Sequence, residues 1–126
     1  MEDEEFKHDI LFYEDEDGNS PIFDYIEDLS KRTDKDSRIN LTKIQDYMRI
    51  LCRYGKAAGE PYMKHLDDDI WELRSLRARI FFASWIGNDF ILLHYFPFKK
   101  TQKTPKAEIA KAKRNLKDIR ERSGLQ

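Results

Sequence analysis

Three extended runs follow one another so closely in the second half of the chain that they can only be neighbouring antiparallel strands. Ile70 to Leu73, Arg79 to Ile86 and Phe90 to Phe96 are rich in β-branched and aromatic residues, the types that suit a pleated, half-buried surface. Gly87-Asn88-Asp89 reads as a tight hairpin turn between the last two runs, and Ser75 to Ala78 is short enough for another hairpin. Connections this short leave no room for the crossover that a parallel pair needs.

Helical patterns surround this meander. Ser20 is expected to accept a bond from a free backbone N–H, with Pro21 at the first helical position, and Ile22, Tyr25, Ile26 and Leu29 follow at helical spacing. That helix is expected to end near Lys31 to Thr33. Asp34 or Asp36 starts a second helix, whose apolar positions Ile39, Leu41, Ile44, Tyr47, Met48, Leu51 and Cys52 recur at intervals of three and four until Gly55 stops it. His8 to Tyr13 reads as a first strand, Asp15 to Asn19 as a polar turn and Gly59-Glu60-Pro61 as a loop. At the far end, Thr104 is expected to cap a last helix with Pro105 at its first position. Its narrow apolar stripe is Ile109, Ala112, Leu116 and Ile119.

The resulting order is strand, two helices, three-stranded meander, basic helix. With 126 residues, 40% of them hydrophobic, this is the size of one α+β domain spanning residues 1–126, with 1–5 frayed. The simplest packing lays the two early helices on one face of an antiparallel sheet and leaves the opposite face partly open.

The net charge of -1 conceals segregation. From Glu2 to Asp28 the chain is acidic, with Lys7 the only cation. From Lys99 to Arg122 it is basic, opposed by Glu108, Asp118 and Glu121 alone. Such asymmetry marks a surface for nucleic acid or a charged partner, or two ends that complement each other. Cys52 is the only cysteine, so no intrachain disulfide forms and a reducing compartment fits. With no membrane-length apolar run and an acidic start unlike a secretory signal, a cytoplasmic location without membrane association is expected.

Alternation along Ile70-Trp71-Glu72-Leu73-Arg74 sends Trp71 and Leu73 one way and Glu72 and Arg74 the other. If Trp71 and Leu73 face the helices, Glu72 and Arg74 lie on the open face. Arg79 begins the next strand, Lys99, Lys100 and Lys103 follow the last one, and Lys64 and His65 precede the first. Cations from separate segments then converge on one surface suited to phosphate. A ribonuclease needs little more, because RNA supplies its own 2′-hydroxyl nucleophile. A lysine among other cations has a lowered pKa and can serve as the base. Binding without catalysis uses the same groups, and both readings stand on residue chemistry alone. His94, inside a strand run, reads as a satisfied core histidine. Asp67-Asp68-Asp69 reads as a solvated turn or a contact for basic residues, because consecutive extended positions cannot all reach one ion. No metal and no cofactor are called for.

Trp71-Glu72-Leu73-Arg74, Arg79-Ile80-Phe81-Phe82, Leu92-Leu93-His94 and Lys99-Lys100-Thr101-Gln102-Lys103-Thr104-Pro105, with Glu108-Ile109 and Ala112, stand in this order and at these separations. Together they resemble the HigB-like branch of the RelE/ParE toxin superfamily, also called the phage Gp49-like family. Phe12-Tyr13, Gly18 and Ser20-Pro21 fit the family's opening. The resemblance implies a RelE-like fold and a type II toxin that cleaves messenger RNA on the ribosome. It further implies a HigA-type helix-turn-helix antitoxin, and contact with operator DNA only through that antitoxin. By position, it makes Arg74, Arg79, Lys99 and Lys100 the catalytic set: the two arginines for phosphate and transition-state charge, one of the two lysines as base or acid. Lys64, Lys103 and His65 are the expected RNA-binding residues.

Overall fold

A computed structural model gives the fold, describing residues 6–75, 77–97 and 103–124. Its elements are β1 (Ile10–Phe12), α1 (Pro21–Lys31), α2 (Lys35–Tyr54), a 3-10 turn at Gly55–Ala58, β2 (Met63–Asp67), β3 (Ile70–Arg74), β4 (Ala78–Ser84), β5 (Phe90–Pro97) and α3 (Lys106–Arg122). The architecture is α+β, consistent with a RelE-like fold: a five-stranded mixed sheet and three helices, the last of them the basic C-terminal one.

The strands lie in the order β1-β5-β4-β3-β2. The meander β3-β4-β5 is antiparallel as expected. Two strands extend it. β2 pairs antiparallel with β3, and β1 pairs parallel with β5. Met63–Asp67, where no strand was expected, is therefore strand, and the sheet is mixed rather than purely antiparallel. Pairing of β4 with β5 slips by one residue between Phe81 and Phe82, while β5 runs on to Pro97, opposite Ala78. Pro97 fits there because it ends the strand and has no ladder N–H to give.

Helix ends follow local chemistry. Asp34 caps α2, its carboxylate accepting from the Ser37 N–H at 3.0 Å. This bond holds the Asp34 carboxyl below its ordinary value. Gly55 terminates α2 at φ 63, a conformation that favours glycine. Two expected caps differ. Ser20 occupies the N-cap of α1 but makes no side-chain cap bond, while Pro21 takes the first position. Pro105, not Thr104, is the N-cap of α3. The Thr104 hydroxyl is directed elsewhere, as described below.

Each face of the sheet carries its own core. On one, Ile22 and Leu29 of α1 and Ile44 and Leu51 of α2 pack on Met63, Leu73, Ile80, Phe82 and Leu92. On the other, Ala112 and Leu116 of α3 pack on Ile70, Phe81, Ala83, Ile91 and Leu93. Adjacent residues Phe81 and Phe82, both fully buried, serve opposite cores, each contributing about 2–3 kcal/mol of burial. Cys52 is half-buried, and burial pushes its thiol up, as suits a packed rather than reactive cysteine.

The second core corrects an expectation. The face opposite α1 and α2 is not open: α3 lies across it, and Glu72 and Arg79 beneath are buried. The narrow stripe of α3 is what seals it. Two of the basic residues of α3 find counter-charges in the Asp67–Asp69 turn. Lys113 reaches Asp67 at 2.5 Å and Asp68 at 3.1 Å, and Arg120 reaches Asp69 at 3.3 Å. Further along, Tyr13 donates to Asp118 at 2.6 Å, and Arg122 bonds both Asp118 and the Glu14 carbonyl. The described part of the acidic start thus meets the basic end at one point only among the described contacts, and most of its carboxylates stay solvated.

Candidate functional site

Two rows of side chains cross the α3-facing side of the sheet. Strand register places Lys64, Glu72, Phe81 and His94 in one row, from β2 through β5. The next row is Arg74, Arg79 and Phe96. The start of α3 lies over the first of these rows. Thr104 reaches down to Glu72, while Glu108 in the first helical turn reaches His94.

Glu72 is the centre of this arrangement. Its side chain is 2% exposed. Oε2 lies 3.3 Å from Arg74 Nε, and Oε1 lies 3.5 Å from Arg79 Nε. Oε1 also accepts the Thr104 hydroxyl proton at 2.8 Å. Two guanidiniums thus share one carboxylate. Burial draws the Arg79 guanidinium down from its ordinary value; Glu72 opposes this and neighbouring Arg74 adds to it. Arginine remains a cation regardless.

The two arginines are not equivalent. The Arg74 side chain is 27% exposed and Arg79 only 5%. Arg74 is therefore able to meet a ligand from solvent, while Arg79 supplies charge from beneath. Lys64 and Lys103 are exposed at the margin, Lys64 directly opposite Glu72 on β2 and Lys103 next to Thr104.

His94 Nε2 lies 2.7 Å from Glu108 Oε1, and its ring stacks on Phe81 at 5.6 Å with an interplanar angle of 12°. This contact, chiefly, holds the Glu108 carboxyl below its ordinary value, with Lys111 adding to the effect at 3.6 Å. The ring is thus bonded and packed in the manner of a satisfied histidine, although at the site rather than remote from it.

Of the residues picked out from sequence, the structure brings Arg74 and Arg79 together and sets Lys64 and Lys103 near them. His65 is placed on the other face: it pairs with Trp71, its ring lies 5.3 Å from the Trp71 ring, and its Nε2 meets the Asp68 carbonyl at 2.6 Å. Lys99 and Lys100 lie outside the described residues. Sequence reasoning missed Glu72, Thr104 and Glu108 as members of the site. For Glu72 a signal was available, since alternation puts it on the face of Arg74. Among the described residues, no group of three or more His, Cys, Asp or Glu side chains is placed to hold a metal ion, and no helix is long and apolar enough to cross a membrane.

Comparison with known proteins agrees with this architecture. Residues 24–117, about three quarters of the chain, match the family described as Phage derived protein Gp49-like (DUF891). The matched region holds every site residue named above. No curated protein matches the chain. The Gp49-like family lies within the RelE/HigB-like toxin superfamily, is consistent with a toxin of a toxin–antitoxin system, and implies an antitoxin partner. The chain belongs to the Gp49-like family of phage-derived proteins.

Proposed function

We propose that this chain is the toxin of a type II toxin–antitoxin pair and acts as an endoribonuclease that cleaves messenger RNA on the ribosome. The observation that carries this reading is the pair of guanidiniums, Arg74 and Arg79, gathered on one buried carboxylate. A ribonuclease of this kind must stabilise the dianionic phosphorane that forms when the RNA 2′-hydroxyl attacks the adjacent phosphorus. Fixed cations do this at no reorganisation cost in the transition state.

In the proposed reaction the 2′-oxygen forms a bond to phosphorus and the bond to the 5′-oxygen breaks. The products are a 2′,3′-cyclic phosphate and a 5′-hydroxyl. The 2′-hydroxyl proton goes to a base on the protein, and the departing 5′-oxygen takes a proton from an acid. The nucleophile comes from the substrate, so the proposed steps use no metal. Arg74 contacts the phosphate, and Arg79 reinforces its field from below. Lys99 or Lys100 is proposed as the proton-transfer group, by position in the family pattern. Lys64 and Lys103 are proposed to hold the RNA backbone on either side.

The same reading assigns the chain a HigA-type helix-turn-helix antitoxin as partner, contact with operator DNA only through that partner, and a cytoplasmic site of action. Its test is expression of the chain without an antitoxin. Growth arrest that Arg74→Ala or Lys100→Ala relieves, at equal soluble expression, is the expected result. Full arrest by both variants would remove these residues from the site. A folded wild-type chain that binds RNA without arresting growth would instead indicate a non-catalytic binding module.

A further inference from the structure

A buried Arg–Glu–Arg cluster is an expensive way to fill space. Two of its three charges, Glu72 and Arg79, are taken out of water, and apolar residues of similar volume usually serve stability as well or better. Glu72 nevertheless sits at 2% side-chain exposure between Arg74 and Arg79. Both of its oxygens are engaged, Oε2 by Arg74 and Oε1 by Arg79 and by the Thr104 hydroxyl. Thr104 lies just ahead of α3, whereas the arginines come from β3 and β4. The carboxylate therefore ties three separate segments to one point.

The contacts are made at Nε of each arginine. An ion pair on that side of each planar guanidinium biases the way the group is turned. Without Glu72, the two cations would also repel each other across the ladder.

We propose that Glu72 is a positioning residue for RNA cleavage: anchored by Thr104, its carboxylate fixes Arg74 and Arg79 as one preorganised acceptor for the scissile phosphate. The inference rests on the ribonuclease reading above and deepens it. Thr104 couples the acceptor to the docking of α3, so the site is complete only when the helix is seated.

The test is Glu72→Gln, which keeps the volume and removes the charge, read on purified chain with ribosomes and messenger RNA. Turnover is expected to fall on the order of a hundredfold, with KM for the ribosome–messenger complex changed by no more than about twofold, because non-specific affinity follows total positive charge and that is not reduced. Thr104→Val should lose turnover in the same sense but less, and Thr104→Ser should restore it. In an Arg74→Ala background, Glu72→Gln should cost far less than it does alone, since part of what it positions is already gone. A folded Glu72→Gln chain with near wild-type turnover, or a penalty undiminished in the Arg74→Ala background, would overturn the proposal.

A wild-type chain that cleaves nothing would defeat the ribonuclease reading instead. The positioning role is then read from the arginine Nε–H resonances during titration with inorganic phosphate. Shifts in wild type that vanish in Glu72→Gln support it without any cleavage. The absence of shifts in wild type would overturn it as well.

Discussion

Arg74 and Arg79 face each other as register partners across the β3–β4 ladder. Like charges directly opposite one another destabilise a sheet. Glu72, two residues before Arg74 on the same face, offsets the repulsion by contacting both. Removing either arginine therefore has consequences that differ with its exposure.

Arg74→Ala should leave the fold close to wild type, because the side chain is partly solvated and Glu72 keeps Arg79. Cleavage should nevertheless fall about a hundredfold to a thousandfold. Arg79→Ala should destabilise the chain by about 2 kcal/mol, since a buried carboxylate loses one of its two cations. Urea unfolding of the two variants side by side checks the contrast. Equal stability losses would mean that the difference in burial carries no energetic weight.

Phe81 is fully buried against α3 and lies beneath the His94 ring. Phe81→Ala should cost about 3–4 kcal/mol, the range for deleting a buried aromatic ring. It should also loosen His94 from Glu108, which the imidazole chemical shifts report. A loss below about 1 kcal/mol would contradict a close-packed second core.

Burial, with the bond to Asp118 added, pushes the Tyr13 hydroxyl up from 10 to about 12. A group raised in the folded state contributes stability that is complete below its unfolded value and is lost as pH rises through the folded one. Tyr13 should therefore favour the fold in full below pH 10 and lose that contribution between 10 and about 12. Tyr13→Phe should flatten this part of the stability profile in alkali. Denaturant midpoints measured across that interval check it, and an unchanged alkaline slope in the variant would place the effect elsewhere.

The ion pairs between α3 and the Asp67–Asp69 turn involve exposed carboxylates. Lys113→Ala should leave the melting temperature almost unchanged at physiological salt, because exposed pairs are screened. A large fall would show that these pairs, rather than the Ala112 and Leu116 stripe, seat the helix.

Much of this architecture can be read locally. Asp34 and Gly55 delimit α2 by their own backbone chemistry, and alternation in β3 correctly assigns Leu73 to one core and Glu72 to the other face. What escapes is non-local. β2 is an edge strand whose Lys64, His65 and Asp67 face solvent or loops, so Met63–Asp67 shows little apolar pattern. β1 is only three residues long and joins β5 from the far side of two helices. The burial of Glu72 depends on where α3 docks, which the Ile109–Ile119 stripe requires but does not address. The lysine pair at positions 99 and 100 was legible as a motif, and its placement lies outside the described residues.

Cleavage of messenger RNA by the purified chain, with and without ribosomes, tests the central claim most directly. Arg74→Ala/Lys100→Ala serves as the control. The account predicts cleavage only when ribosomes are present, with 5′-hydroxyl ends on the downstream fragments and no cleavage by the double variant. Intact messenger in every condition, from a folded chain that still binds RNA or an antitoxin, would contradict it.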